Sequence, residues 1–437
     1  MKKHPTVCLI SLGCAKNLVN SEQMLYLLQE AGFRLQSEPE GADVAVLNTC
    51  GFIESAKSEA IGEILRLAQL KEAGQLKKLV VCGCLPQRYR DEILTELPEI
   101  DALVGVGSFQ EIVSAVSAAL EGDTPALFGD QNAPDPESGR VVSTGPGWAY
   151  LKIAEGCDNR CAYCVIPDIR GRYRSRPMER IIAEARNLAA RGVKELIVVA
   201  QDTTRYGLDL YGERRLVPLL RELADLGDIA WIRLHYLYPD ELDDELIELV
   251  AGEPKILKYL DVPIQHINNG ILRRMNRRGS GDEIRALLLK LRERIPGVVL
   301  RTSLIVGLPG EGEAEFDELC AFLREAKIER AGVFAYSPEE GSPAAEMPDR
   351  CGEATAQKRL ERVVALQAEV MDAFDQSRVG KTAEVLCTGP HTGRSFAESP
   401  DVDGVITFPG RVTPGELVRA RITHAADGEL YGERVKA

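Results

Sequence analysis

The 437-residue chain is poor in aromatic residues, which make up 5% of it with only two Trp, and it carries five His. It has no run of eighteen apolar residues, so no stretch reads as a membrane-spanning helix. It also lacks a basic excess: Lys+Arg number 53 against Asp+Glu 67, a net charge of −14. That balance excludes a protein that coats nucleic acid through a broad basic face, and it suits a macromolecular partner that is itself basic. Internal repeats and low-complexity tracts are missing as well. Met1-Lys2-Lys3 is basic, but the apolar stretch behind it is short and reaches Gly13-Cys14 without a small-residue cleavage pattern. It therefore reads as a first β-strand rather than a secretion signal, and the expected compartment is cytoplasmic and reducing.

Cysteine stands out instead. Eleven are too few for a disulfide scaffold in a chain this long, and the number is odd. In a reducing compartment, clustered cysteines point to metal binding or redox work. At about 150 residues per domain the length suggests roughly three domains, and 45% hydrophobic residues can fill several cores.

The first third alternates strand and helix. Thr6–Ser11, Asp43–Leu47 and Leu79–Cys82 are short apolar runs; helical spacing covers Ser21–Ala31, Glu54–Leu70 and Gln87–Glu96. The expected fold is α/β, opening with a doubly wound parallel-sheet domain. Cys14, Cys50 and Cys84 each follow one of these strands, at the carboxyl end, where open α/β sheets form their ligand crevice. Gly13, Gly51 and Gly83 flank them and permit tight turns. A single cysteine so placed reads as a small buried residue; three at equivalent positions favour a shared ligand site. Cys8 and Cys82 lie inside strands and read as core, and no partner is assigned to Cys320, Cys351 or Cys387.

The strongest local signal is GCDNRCAYC, in which Cys157, Cys161 and Cys164 have the spacing C-x3-C-x2-C. Three thiolates can hold three irons of a cubane and leave the fourth open to a small ligand. A structural zinc knuckle with a remote fourth ligand is the alternative. Strands at Tyr150–Ala154, Glu195–Ala200, Ala230–Leu234, Tyr259–Val262, Val298–Ile305 and Ala331–Tyr336 are expected to alternate with helices at Met178–Ala190, Leu216–Leu226, Glu241–Val250, Asp282–Arg294 and Glu313–Ala326. That pattern makes a partial (β/α)6 barrel, open on one side. Arg170, Arg172, Arg174 and Arg176 alternate in IRGRYRSRP and read equally as an anion clamp or a solvated loop. Arg273, Arg274, Arg277 and Arg278 form a second basic knot, near His266. His266 reads as a hydrogen-bonded structural residue ahead of a proton carrier. Cys351–Phe374 is a long polar helix; after it, short segments at Thr382–Cys387, Gly404–Thr407, Glu416–Ile422 and Leu430–Val435 suggest a small β-barrel or sandwich. The expected domains are 1–130, a linker over 131–147 rich in Pro, Gly and Ser, 148–374, and 375–437.

SLGCAKN, NTCGFIESAK, VCGCLPQR and AEGCDNRCAYCVIPDIRGRYRSRP together resemble the methylthiotransferases of the radical SAM superfamily, and SLIVGLPGE resembles that superfamily's glycine-rich region beside the adenine. The terminal module looks like a TRAM domain. The resemblance covers essentially the whole chain and implies two 4Fe-4S clusters and S-adenosylmethionine. Cys157, Cys161 and Cys164 would hold the cluster that cleaves the cofactor to a 5′-deoxyadenosyl radical. Cys14, Cys50 and Cys84 would hold an auxiliary cluster that supplies sulfur. Tyr163, Gln201, Arg301 and Gly307 are the implied S-adenosylmethionine contacts; no catalytic side chain is assigned. Gly312 stands where the family carries a polar residue such as Thr.

NTCGFIESAK, the Tyr173–Arg176 run, PIQHIN and YSPEEGSPA resemble the branch that methylthiolates an aspartate β-carbon of ribosomal protein S-twelve; the other branch modifies an isopentenyl-adenosine in tRNA. Charge bears on the choice. Residues 1–140 carry 12 Lys+Arg against 20 Asp+Glu, and residues 375–437 carry 8 against 9. A tRNA-binding module needs a basic excess, whereas a basic ribosomal protein is attracted to an acidic surface. An external electron donor and sulfur source are implied, and direct RNA binding is not required. The rivals from other classes are an iron–sulfur regulatory protein without turnover and a zinc-bound RNA-binding protein.

Overall fold

A computed structural model of the chain describes residues 4–134, 137–426 and 428–435. Met1–Lys3, within the basic start, and Asp135 and Pro136, within the expected linker, lie outside the described residues, as do Asp427, Lys436 and Ala437. The chain divides into two compact units. The first comprises Met1–Ser143, Ala154–Arg176 and Glu339–Ser342; the second holds Thr144–Ile153, Pro177–Pro338 and Pro343–Ala437.

The first unit is built on a parallel sheet. Its strands are Thr6–Ser11 (β1), Arg34–Gln36 (β2), Val44–Thr49 (β3), Lys78–Gly83 (β4), Ala102–Val104 (β5) and Ala126–Leu127 (β6), in the order β2-β1-β3-β4-β5-β6. Alternate residues face opposite cores, as strand geometry requires. Val44, Val46, Val80 and Cys82 pack with Met24 and Leu28 of helix α1 (Ala15–Glu30) on one face. Ala45, Leu47, Leu79 and Val81 pack with Ile64 and Leu67 of α2 (Glu54–Glu72) on the other. Both faces are covered, which explains the nearly continuous apolar runs of β3 and β4. Helix α1 begins six residues earlier than its apolar spacing predicts. Its first turns bury Lys16, Asn17, Asn20, Ser21 and Glu22, a polar face that hydrophobic periodicity cannot show. The helix expected over Gln87–Glu96 is two short ones, α3 (Cys84–Tyr89) and α4 (Asp91–Glu96). Cys84 is thus the first residue of a helix. Ile112–Glu121 (α5) completes the first face.

The expected linker does not hang free near its end. Arg140 pairs with buried Glu22 at 2.9 Å, and Ser143 donates to the same carboxylate through its backbone N–H and its hydroxyl.

The second unit opens with Trp148–Lys152 (β7). The short strands Ala154–Glu155 (β8) and Arg174–Ser175 (β9) pair antiparallel and belong to the first unit. Then come Glu195–Val199 (β10), Trp231–Leu234 (β11), Ile256–Asp261 (β12), Val299–Val306 (β13) and Arg330–Ala335 (β14). With β7 they form a six-stranded parallel sheet in sequential order, with β7 and β14 at the edges. This is the expected six-strand α/β architecture. The final helix runs Glu353–Arg378. A closed five-stranded barrel follows, in the order β15-β16-β17-β19-β18: Thr382–Cys387 (β15), Thr392–Arg394 (β16), Ile406–Thr407 (β17), Leu417–Ala426 (β18) and Glu429–Arg434 (β19). Closure removes the exposed edges of so small a sheet. Between β16 and β17, Ser395, Ala397, Glu398 and Ser399 are buried where this loop meets the sheet of β7 and β10–β14. There Arg233 of β11 donates to the carbonyls of Phe396 and Ser395. His235 meets the Ser399 hydroxyl at 2.8 Å, and the Tyr259 hydroxyl donates to Asp403 at 2.6 Å.

Candidate cluster and cofactor sites

Three neighbouring strands deliver the first thiol triplet. Cys14 follows β1 and sits at the N-cap of α1, Cys50 follows β3 directly, and Cys84 follows β4 directly. The loops touch. A Cβ placed on Gly13 would come within 2.8 Å of the Cys50 Cβ, and one on Gly51 within 2.9 Å of the Leu85 backbone. Gly13 also has a φ of +88°, a conformation that only glycine adopts cheaply. The glycines therefore let the cysteine loops converge.

Asn17, one helical turn past Cys14, ties two of the loops together. Its amide donates to the carbonyls of Leu12 and Thr49 at 3.0 and 2.9 Å. Its Oδ1 accepts from Arg170 and lies 4.0 Å from the Cys84 sulfur. On the other side Arg88 holds the carbonyl of Gly51 at 2.9 Å and is itself paired with buried Glu339 at 2.8 Å. Glu339 also accepts the Glu54 backbone N–H and pairs with Lys57 at 3.2 Å. It comes from YSPEEGSPA.

The three thiols differ electrostatically. Burial pushes Cys50 up to about 11, with Cys84 adding to the effect. Burial likewise raises Cys84, outweighing the neighbouring Arg170. At Cys14 the surrounding chain opposes ionisation, but Lys16, Arg170 and the backbone N–H groups of Asn17 and Lys16 outweigh it and hold the thiol below its ordinary value. Bound iron would complete the deprotonation of all three.

The second triplet occupies one loop of the same unit. Cys157 and Cys161 are buried and Cys164 is half-buried. The backbone N–H of Cys157 donates to Gly171 at 3.1 Å, that of Cys161 to Asn159 at 2.8 Å, and that of Cys164 to Cys161 at 3.0 Å. Helix α6 (Ile166–Arg170) follows, and Val165 and Ile169 pack into the core that contains Cys82 and Cys84. All eleven cysteines are free thiols. Among the described residues, no three His, Cys, Asp or Glu are gathered to hold one metal ion. A cubane does not need that, because it spreads three thiolates over three irons. Both triplets offer soft sulfur donors, which fits iron–sulfur clusters.

The alternating arginines divide between buried ion pairs and a solvated face. Arg170 is buried between Glu155, at 3.0 Å, and the Cys84 sulfur, at 3.3 Å. Arg176 is buried and forked onto Glu137 at 2.9 and 2.6 Å. Arg172 is exposed, and Arg174 is partly buried and turns back on the carbonyls of Arg170 and Arg172. Sequence reasoning missed Asn17, Glu155, Arg88 and Glu339. All four carry charge or amide groups in segments already noted, but nothing local marks them as buried.

Of the four expected cofactor contacts, Tyr163 lies half-buried beside Cys164 in the first unit. The second unit holds the others. Gln201 lies just past β10 and Gly307 directly follows β13. Gly307 has a φ of +78°, and its N–H donates to buried Glu311 at 2.9 Å. Arg359 pairs with the same carboxylate at 2.9 Å. His266 is fully buried; its Nδ1 accepts from Asn268 at 3.0 Å, and its Nε2 lies 3.4 Å from Glu311. That geometry fits the structural reading of His266. Arg301, on β13, pairs with Asp261 at 2.8 Å. Gly312 caps its helix without a side chain, and Glu315 reaches back to accept its N–H at 2.9 Å.

Family models match three stretches: Uncharacterized protein family UPF0004 over residues 6–105, the Radical SAM superfamily over 151–323 and the TRAM domain over 379–435. A protein of Desulforamulus reducens named ribosomal protein uS12 methylthiotransferase RimO is 50% identical over 98% of this chain and 99% of its own length. Its namesake in Pelotomaculum thermopropionicum is 49% identical over 98% of each chain. The chain belongs to the RimO family. Among solved structures, this RimO-family chain resembles the radical S-adenosylmethionine methyltransferase TsrM from Kitasatospora setae. The TM-score is 0.57 at 14% identity, over 89% of this chain and 77% of that one. The cobalamin-dependent radical enzyme OxsB matches with a TM-score of 0.52 at 13% identity, over 84% and 56%. At such identities these two likenesses concern the fold. Among the described residues, no helix is long and apolar enough to cross a membrane.

Proposed function

We propose that this chain is a radical S-adenosylmethionine methylthiotransferase that places a methylthio group on the β-carbon of an aspartate in ribosomal protein uS12. One observation carries the reading: in a member of the RimO family, Cys14, Cys50 and Cys84 converge from three strand ends as a second thiol triplet beside C-x3-C-x2-C. Cys157, Cys161 and Cys164 would hold one 4Fe-4S cluster and Cys14, Cys50 and Cys84 the other, each leaving one iron open. When bound, the clusters and S-adenosylmethionine supply the radical chemistry that an unactivated C–H bond demands, and the sulfur.

The chain's own residues position and shield. Asn17 and Arg88 fix the loops of the first triplet through the carbonyls of Leu12, Thr49 and Gly51. Tyr163, Gln201, Arg301 and Gly307 are assigned to S-adenosylmethionine. Gln201 and Gly307 stand at the carboxyl ends of β10 and β13, where sheets of this class carry their ligands. Arg301, steadied by Asp261, offers a fixed cation suited to a carboxylate.

Charge supports a basic protein substrate. The terminal module spends Arg378 on its own Glu398 and Arg394 on Glu195 of β10, which leaves less basic surface for RNA phosphates. The reading includes a cytoplasmic setting and an external electron donor and sulfur source. Its test is anaerobic turnover with uS12 and, separately, with tRNA, followed by mass analysis of both. A methylthio gain on a uS12 aspartate is expected. A gain on a tRNA adenosine and none on uS12 would assign the chain to the other branch.

A further inference from the structure

Arg170 places a cation directly against a thiol of the first triplet. It is 1% exposed. Its Nη2 lies 3.3 Å from the Cys84 sulfur and also donates to Asn17 Oδ1; its Nη1 lies 3.0 Å from the Glu155 carboxylate. Glu155 is equally buried and pairs with the guanidinium. A third partner, sulfur, is then held on the same fork. A planar guanidinium can serve all three at once, which the single ammonium of a lysine cannot reproduce.

Arg170 lies six residues past Cys164 and one before Gly171, whose carbonyl receives the Cys157 N–H. The segment that carries one cysteine triplet therefore delivers a buried charge to a cysteine of the other. Such a charge would be costly to bury for packing alone, because a hydrophobic replacement of a buried ion pair is often as stable.

We propose that Arg170 is a positioning residue of the auxiliary cluster. It holds the Cys84 thiolate through a charge-assisted N–H···S hydrogen bond and thereby raises that cluster's reduction potential. The proposal rests on the assignment of Cys14, Cys50 and Cys84 as cluster ligands. Hydrogen bonds to the sulfurs and nearby charge set the potentials of such clusters. A positive donor stabilises the more negatively charged, reduced form, so its removal lowers the potential.

The test uses the full-length chain with Cys157, Cys161 and Cys164 changed to Ala, reconstituted anaerobically, so that only the auxiliary cluster remains. Its midpoint potential and electron paramagnetic resonance spectrum are compared with those after Arg170→Gln and Arg170→Lys. Because Arg170→Gln leaves Glu155 buried without its cation, Arg170→Gln/Glu155→Gln is measured as well and compared with Glu155→Gln alone. The expected result is a shift to more negative potential in the Gln variants and a smaller shift in Arg170→Lys. An unchanged potential and spectrum in the doubly neutral variant, with its iron retained, would overturn the proposal. So would a shift in Glu155→Gln alone equal to that in the double variant. If the parent with Arg170 intact takes up no iron, the ligand assignment fails instead.

Discussion

Two buried arginine sites in this chain are wired differently. Where Ser395–Ser399 meets the six-stranded sheet, arginines and carboxylates interlock. Glu195 receives Arg233 at 2.7 Å and Arg394 at 2.8 Å. Asp375 takes both Nη groups of Arg330, at 3.1 and 2.8 Å. Glu398 serves Arg330 and Arg378. Further donors of Arg233 and Arg394 go to carbonyls of the same loop, and Arg378 donates to the Ser395 hydroxyl. At Arg170 the Glu155 carboxylate takes one Nη group, and the Asn17 amide oxygen and the Cys84 sulfur meet the other. The first arrangement binds charge to charge and closes on itself, as structural networks do. The second places a cation against a thiol proposed as a cluster ligand, as functional sites do.

The largest effects should break this contrast outright. Cys157→Ala is expected to abolish 5′-deoxyadenosine formation. Cys50→Ala should keep it while losing methylthio transfer; product analysis of single turnovers checks both. Equal loss in both variants, with the remaining cluster intact, would mean the two triplets do not divide the work. Next comes Glu398→Ala, which removes one of the two carboxylates, with Asp375, that the buried Arg330 and Arg378 share. A loss of about 3 to 5 kcal/mol is expected in denaturant unfolding, with no effect on auxiliary-cluster iron. A third effect depends on pH. Burial opposes ionisation of Glu398, yet Arg378, Arg330 and the Ser395 hydroxyl outweigh it and hold the carboxyl down at about 2, against 4.5 ordinarily. A depressed native pKa stabilises the fold above the unfolded value and is lost as pH falls through the folded one. Stability should therefore fall as pH drops from about 4.5 to about 2, and Glu398→Gln should flatten that slope. The smallest effect is a control outside both sites. Gly312→Ser adds an N-cap hydroxyl at an extended backbone position, but its Cβ would displace the end of the Glu315 side chain, so stability should change by no more than a few tenths of a kcal/mol.

The sequence made the cysteines legible because their chemistry is local. C-x3-C-x2-C needs no fold to be read, and strand runs before Cys14, Cys50 and Cys84 place them at strand ends. The strands of the six-stranded sheet were legible for the same reason, since each is a short apolar run. What was hidden is long-range. IRGRYRSRP does not say that Arg170 and Arg176 turn inward while Arg172 turns out, because that depends on Glu155 and Glu137 arriving from other segments. The buried face of α1 is polar and escaped a hydrophobic pattern. Arg34–Gln36, Ala102–Val104 and Ala126–Leu127 are two or three residues long, too short to show alternation. The docking of Ser395–Ser399 has no local signature at all.

The central claim is that two thiol triplets in one chain hold two clusters. Iron and labile sulfide should be counted on the anaerobically reconstituted wild type and on the variant with Cys157, Cys161 and Cys164 changed to Ala. About eight irons per chain falling to about four is the expected result. About four falling to none would contradict it.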